Sequence, residues 1–266
     1  MSIFETETKH RADAITLTTL EFDVLWEHLG CGRMPLILTM PSPGKTYTER
    51  SYIAARAWEA LVSKGLASRP NSPNNNIQDL LNLLYMPERE VDARLSIGYP
   101  VRAIATAKGH NGVIATLVND QVRLAFADPN ELPSAIASLL PPLQPGKGHS
   151  INTPSSELDT AAKRADTLSE FANELINQGI IPTDAHTLAS MATGAGHQGQ
   201  FGAAARDISG QRRRADHVVG FFDTPQGRYL QLRRAGHDGT EWTTITPATH
   251  QLLVQQINDL LNKVTD

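Results

Sequence analysis

The chain has 266 residues, of which 40% are hydrophobic and 20% charged, the proportions of an ordinary soluble globular protein and not of a disordered one. A formal net charge of -4 gives no general attraction to nucleic acid or to an anionic membrane, and the single cysteine, Cys31, rules out an internal disulfide. The opening MSIFETETKH carries no apolar core for a secretory signal and no later stretch approaches the length of a bilayer span, so a cytosolic location is expected.

Residues 1 to about 13 read as a loose polar tail. Ile15–Thr18 predicts a short strand, and Thr18 with Glu21 makes the capping-box pattern that opens a helix through TLEFDVLWEHLG, ended by Gly30. PLILTM, residues 35–40, predicts a further strand, and the proline and glycine of PSPGKTYTE predict an irregular loop after it. A helix follows from about Glu49 to Lys64, with Ile53, Ala57 and Leu61 at helical spacing. ASRPNSPNNN, residues 67–76, has the turn formers of a mobile polar loop, and IQDLLNLLYM is apolar on too broad a face for a surface helix.

Three strands come next, VRAIATA, VIATLV and QVRLAFADP, joined at KGHNG and Asn119-Asp120 and closed by the helix NELPSAIASLL. The Pro, Gly and Ser of PPLQPGKGHSINTPSSE predict a joint between two halves. One long helix is expected over SELDTAAKRADTLSEFANELINQG, then a helical segment from about Thr183 that runs into the glycine cluster TGAGHQGQFGAAARD, whose Gly199 and Gly202 would suit close helix packing. After QRRR the strands HVVGFFD, RYLQLRR and EWTTITP alternate with the turns TPQG and AGHDG, and THQLLVQQINDLL closes the set.

The layout of Pro100–Leu140 therefore recurs in His217–Leu261. The similarity extends upstream, where AWEALVSKGL matches EFANELINQGI and Leu61, Val62 and Gly65 fall on Leu175, Ile176 and Gly179. An internal duplication is expected. The fold class that follows is α+β, an antiparallel β-sheet with flanking α-helical bundles in two pseudo-symmetric halves, residues 14–143 and 157–264, joined by a linker at 144–156 in one compact domain.

Signatures of chemistry fail on context. Gly194, Gly196 and Gly199 satisfy G-x-G-x-x-G, but a helical segment stands where a dinucleotide site needs a strand. Gly44-Lys45-Thr46 resembles the end of a P-loop whose first glycine would have to be Thr39. The nine histidines show no pair at zinc-helix spacing, so no metal and no cofactor are expected, and Cys31 sits at a helix end that would not activate a thiol. Arg212, Arg213 and Arg214 fit a solvated loop or a phosphate contact. An absence of catalytic signatures shifts weight toward binding. Two rivals stay open, an enzyme with a site between the halves and a nucleic-acid-binding regulator that uses the arginine run.

Several blocks carry a resemblance to a known family. LTTLEFDVLWEHLG with MPLIL, then SPGKTYTERSYIAARAWEALVSKGL, and above all GHQGQFGAAARD, RRR and VVGFFDTPQGRYL resemble the EspG family, cytosolic chaperones of the ESX (type VII) secretion systems of mycobacteria and related actinobacteria. The resemblance covers residues 14 to 264. It implies a mixed fold with an antiparallel sheet, helical bundles and an approximate two-fold relation between halves. It also implies a non-enzyme whose partner is the PPE protein of a PE/PPE heterodimer, with no nucleic acid and no membrane insertion. By analogy with the family's partner surface, contacts are expected from Lys108, His110 and Asn111 in the first hairpin, from Gln198, Gln200, Phe201 and Arg206 in the second half, and from Phe222 and Tyr229 on the sheet face. A core role for Phe201 and Phe222 is the competing reading. Exposed sheet edges of such halves also leave weak homodimerisation open.

Overall fold

The computed structural model describes residues 14–236 and 238–265, so the expected tail over residues 1–13 lies outside the described residues. The chain divides into two units, and each takes pieces from several stretches of sequence.

Unit 1 takes the chain up to Ala93, then Pro100–Leu139 and Ala205–Arg212. Strand β1 (Ile15–Thr18) leads straight into helix α1 (Thr19–His28), whose capping box is formed on both sides: Glu21 N donates to Thr18 Oγ1 at 3.1 Å and Thr18 N donates to Glu21 Oε2 at 2.7 Å. Helix α2 (Tyr47–Ser63) repeats the device with Thr46 and Glu49. A hairpin of β2 (Ala67–Arg69) and β3 (Ser72–Pro73) precedes helix α3 (Asn75–Leu84). Strands β4 (Arg89–Ser96), β5 (Pro100–Lys108), β6 (Asn111–Val118) and β7 (Gln121–Ala127) and helix α4 (Leu132–Ala137) complete the set.

The strand order is β1-β7-β6-β5-β4, with antiparallel registers such as Ile15↔Leu124 and Ile104↔Ala115. Because side chains alternate between faces, Ile104 of β5 and Leu124 of β7 point into one core, where they meet Phe22, Leu25 and Trp26 of α1, Trp58 and Leu61 of α2, and Leu80, Leu81 and Leu84 of α3. The alternate alanines of β5 are buried as well, and α4 packs against β5 and β6.

Unit 2 takes Arg94–Tyr99, Leu140–Ala204 and the chain from Arg213. It contains β8 (Ile151–Pro154), α5 (Ser155–Arg164), α6 (Leu168–Asn177), α7 (Pro182–Ala192), β9 (Gln198–Arg206), the short β10 (Arg212–Arg214) that pairs with β9, β11 (Val219–Thr224), β12 (Gly227–Ala235), β13 (Glu241–Pro247) and α8 (His250–Thr265). The last residues of β9 and the first of β10 count with unit 1. The order is β9-β11-β12-β13-β8, antiparallel in each of these pairings. Ile151, Leu158, Leu175, Ala185, Leu188, Tyr229 and Ile245 form the core beneath α5, α6 and α7.

The expected α+β class with an antiparallel sheet and helical bundles is what the chain adopts. Five local expectations are corrected. PLILTM is a single 3-10 turn over Leu36–Leu38 that packs against β5 without pairing into the sheet: Leu38 N donates to Pro35 O at 2.9 Å, burying Ile37 and Leu38 while Leu36 faces solvent, and Arg102 Nη1 of β5 donates to Thr39 O at 2.8 Å. ASRPNSPNNN is the β2–β3 hairpin, made by Asn71 at φ 60 and pinned where Asn74 N donates to Leu66 O at 2.9 Å. The single long helix is two, because Asp166 N and Thr167 N turn to Glu170 Oε2 at 2.9 and 3.1 Å and Ala165 is extended. The joint between the halves contains β8. Finally, the glycine cluster is the start of β9 and not a helix: a Cβ on Gly199 would stand 2.6 Å from Arg94 O, so glycine there permits strand contact instead of helix packing. Strand β4, whose charged REVDARLS hides its alternation, was not anticipated at all.

Candidate partner-binding surface

In unit 2 the pleat sorts the expected residues. Gln198 and Gln200 share one face of β9, and Gly199 and Phe201 share the other. Phe201 is fully buried with its ring 5.9 Å from that of Phe221, so its side chain offers no surface and the core reading holds for it. The register Gln198↔Phe222 and Gln200↔Gly220 extends the glutamine face onto β11, and Phe222↔Tyr229 carries it to β12. Gln198 and Gln200 are exposed there and Phe222 is half-buried, stacked on Tyr229 at 5.2 Å.

Tyr229 is the second correction: it has no exposed surface. The segment from Pro141 to Lys147 crosses it. Gly146 lies so flat on the ring that a Cβ would fall 2.1 Å from Cζ, and Tyr229 Oη donates to Lys147 O at 3.0 Å. Next to it Arg228, 1% exposed, fixes the same segment. Its backbone N donates to Gln144 O at 2.9 Å, its O accepts from Gly146 N at 2.9 Å, and its Nη2 donates to Pro141 O at 3.0 Å. The guanidinium is neutralised by Asp223 in a two-point pair at 2.7 and 2.9 Å and lies over the Phe221 ring. Sequence reading missed this strap, although a Pro-Gly run beside a lone Arg-Tyr pair gave no cue to their contact.

In unit 1 the expected hairpin closes on the pair Lys108↔Asn111, with Gly109 at φ 58, and Lys108, His110 and Asn111 are all exposed. Glu88 organises the neighbourhood. Its carboxylate accepts from Gly109 N at 3.0 Å, its N donates to Ala107 O at 3.0 Å, and its O accepts from Arg206 N at 2.8 Å. The hairpin and Arg206, far apart in sequence, are thereby brought together. Arg206 Nη1 donates to Gly210 O at 2.8 Å, stiffening a turn in which Asp207 Oδ1 accepts from Ser209 and Gln211 and presents Ile208 wholly to solvent. Met86, 46% exposed at φ 51, stands two residues before Glu88. Neither apolar residue was anticipated; the only available signal was an isoleucine inside the polar turn DISG.

Among the described residues no group of three or more His, Cys, Asp or Glu side chains is placed to hold a metal ion. Burial pushes the Cys31 thiol up, which disfavours a thiolate. Gly194–Gly199 follows a helix and enters a strand, the reverse of a dinucleotide turn, and the P-loop-like triplet, although Thr46 caps α2, follows a 3-10 turn and Thr39 where a P-loop needs a strand and a first glycine. Arg212 is committed to Glu90, to which its Nε donates at 3.0 Å.

The model of the EspG family matches residues 18–259. The structure is similar to that of the Mycobacterium tuberculosis type VII secretion system chaperone EspG5 in complex with a PE25-PPE41 dimer, with a TM-score of 0.73 over 95% of this chain and 97% of that chain at 17% sequence identity. No curated protein matches the sequence.

Proposed function

Because the chain belongs to the EspG family, we propose that it is a type VII secretion chaperone that binds the PPE subunit of a cognate PE/PPE pair in the cytoplasm, shields that subunit's apolar tip and directs the pair to an ESX system. The observation that carries the reading is the family match over residues 18–259. The likeness to a chaperone solved with its PE/PPE dimer agrees with it at the level of fold. Among the described residues no helix is long and apolar enough to cross a membrane.

Physical chemistry suits the role. A helical cargo with an exposed apolar end self-associates unless that end is covered. Covering it takes an interface of roughly 1,200–2,000 Å² in total, and no bond-making. Of the residues expected from sequence, Lys108, His110, Asn111, Gln198, Gln200, Arg206 and Phe222 keep some exposure and stay in the proposal; Phe201 and Tyr229 leave it. Within unit 2, the exposed amides of Gln198 and Gln200 offer hydrogen bonds beside the half-buried ring of Phe222, a mixture that discriminates between related cargoes by penalising mismatched ones.

Co-expression with candidate PE/PPE pairs tests the reading, with co-purification and cargo solubility scored together. One pair is expected to co-purify and to become soluble; cargo equally soluble without the chaperone would overturn the proposal. With that pair, Gln200→Glu and Phe222→Ser are expected to weaken binding by about tenfold or more while the variants remain folded.

The arginine run favours no nucleic-acid reading, since Arg212 is spent on Glu90. Retention on duplex DNA at low salt would revive it.

A further inference from the structure

Arg228 and Tyr229 are consecutive on β12, so their side chains leave opposite faces of the sheet. On one face Arg228 Nη2 donates to Pro141 O at 3.0 Å, and on the other Tyr229 Oη donates to Lys147 O at 3.0 Å. Between those ends the strap runs beside the strand itself: Pro145 forms a parallel bridge with Arg228, whose N donates to Gln144 O and whose O accepts from Gly146 N, both at 2.9 Å. The segment therefore passes round the start of β12 from one face to the other, clamped by a single dipeptide. Two glycines make room for it. A Cβ on Gly227, at φ 130, would stand 2.6 Å from Gln144 O and 2.7 Å from Gly146 N, and a Cβ on Gly146 would stand 2.1 Å from Tyr229 Cζ. Beyond Lys147 the strap is seated on α7, where His149 Nε2 lies 3.0 Å from Asp184 Oδ1.

What the clamp holds still is an aromatic pair. Tyr229 is stacked on Phe222, with ring centroids 5.2 Å apart and planes 21° from parallel. Phe222 is half-buried and belongs to the face that carries Gln198 and Gln200. A half-exposed ring on a sheet is free to change rotamer, and stacking against a neighbour that cannot move confines it to one orientation.

We propose that the strap is a positioning device for the cargo surface: Gly146 and Lys147 hold Tyr229, and Tyr229 holds the Phe222 ring in the orientation that meets the PPE subunit. The inference rests on the reading of Phe222 as a cargo contact and adds the residues that act through it. Tyr229, with no exposed surface, is a positioning residue. When the ring is released, the apparent affinity falls in proportion to the fraction of chains that still present it correctly.

Two measurements test this. The first needs no cargo: aromatic NMR of the full chain with ring-labelled phenylalanine follows the Phe222 signal, assigned by its loss in Phe222→Ser. Gly146→Ala, which drives a methyl into the tyrosine ring, and Tyr229→Leu, which removes the stack, are each expected to shift and broaden that signal. A Phe222 signal that neither variant moves would overturn the proposal. The second is a double-mutant cycle on affinity for the PE/PPE pair that co-purifies with the chain. Gly146→Ala is expected to weaken binding about tenfold in the native chain and less than about twofold in the Phe222→Ser background. Equal losses in both backgrounds would show that the strap does not act through Phe222 and would overturn the proposal. A Phe222→Ser chain that binds cargo as tightly as the native one removes Phe222 from the cargo surface, and the proposal falls with that reading. Tyr229→Phe keeps the ring and removes only the hydroxyl bonded to Lys147 O, so it runs the same cycle without a steric clash if Gly146→Ala does not fold. Its expected loss is about threefold in the native chain and none in the Phe222→Ser background.

Discussion

Unit 1 and unit 2 solve one architectural problem with different chemistry. Each runs from an edge strand through helices to a meander in the same order, β1-β7-β6-β5-β4 in the first and β8-β13-β12-β11-β9 in the second. Each sets a capped helix before the meander, with Thr46 and Glu49 in α2 and Thr167 and Glu170 in α6, and each of those helices ends near a left-handed glycine, Gly65 or Gly179. That shared plan supports the proposal of an internal duplication. The interiors differ. Unit 1 places two of its buried carboxylates, Glu21 and Asp23 of α1, where they reach partly exposed cations, Lys64 at the C-cap of α2 and Arg50 within that helix. Unit 2 puts both members of an ion pair inside, Arg228 and Asp223, and uses them to hold the Pro141–Lys147 strap. The same scaffold can therefore join its helices by charge at the surface or fix a crossing segment by charge in the core.

The sharpest way to break this comparison is at the buried pair. Arg228→Met removes both hydrogen bonds of the two-point pair and leaves the buried Asp223 with only His197 Nδ1, 3.8 Å away, and is expected to cost about 3–5 kcal/mol in urea unfolding. Arg228→Met combined with Asp223→Leu is expected to recover much of that loss, whereas Lys64→Met in unit 1, where the cation is 39% exposed, is expected to cost less than about 1 kcal/mol. Equal losses at Arg228 and Lys64 would erase the distinction between a core pair and a rim pair.

Paired core truncations follow in size. Leu61 of α2 and Leu175 of α6 are matched in sequence and neither has any exposed surface. Leu→Ala at each is expected to cost about 2–5 kcal/mol, with the two values close together if the units are packed alike. The capping boxes sharpen the same question at smaller scale. Thr46→Ala and Thr167→Ala are each expected to cost about 0.5–2 kcal/mol, because each hydroxyl accepts one N3 amide at 3.2 Å. A large loss at only one of the two caps would show that the local resemblance hides different tertiary support.

How much of this was legible follows from the range of each interaction. Caps, turns and the meander strands were readable, since Thr18 and Glu21, or Asn111 and Gly112, carry their signals within a few residues. Strand β4 was not, because its inward residues Val91 and Ala93 alternate with Glu90 and Asp92, carboxylates that read as solvent-facing yet are buried. Strand β9 over the glycine cluster went unread for the opposite reason: its small residues carry no clear period, and the approach of Arg94 O to Gly199 is a long-range contact. At the candidate surface, Lys108, His110 and Asn111 of the hairpin and the two glutamines face solvent. Tyr229 was misplaced because its cover, Gly146, lies 83 positions away in sequence by the numbering of the two residues. No local pattern announces a strap.

The smallest expected effect separates the units by pH. In unit 2, α5 is tied to the sheet by Asp159, whose carboxylate accepts from Arg233 Nη1 of β12 at 3.0 Å. That hydrogen bond is the chief cause holding the Asp159 carboxyl below the usual carboxylate range, against burial and with the attraction of Arg233 and Lys163 beside it. A folded-state value below the unfolded one means that stability from this group is complete above the ordinary aspartate range and is lost as pH falls through the lower folded value. Both side chains are about two-fifths exposed, at 41% and 39%, so solvent screening limits the contribution to about 0.2–1 kcal/mol. Asp159→Asn should therefore shift the urea midpoint slightly at about pH 7, and the difference from the native chain should shrink as pH falls through the lowered folded value. In unit 1 the carboxylates of α1 are directed to α2, so the loss of this link should leave hydrogen exchange in the core of α1 and α2 unchanged while raising it along α5. Faster exchange in both helical sets at once would mean that α5 anchors more of the chain than its own unit.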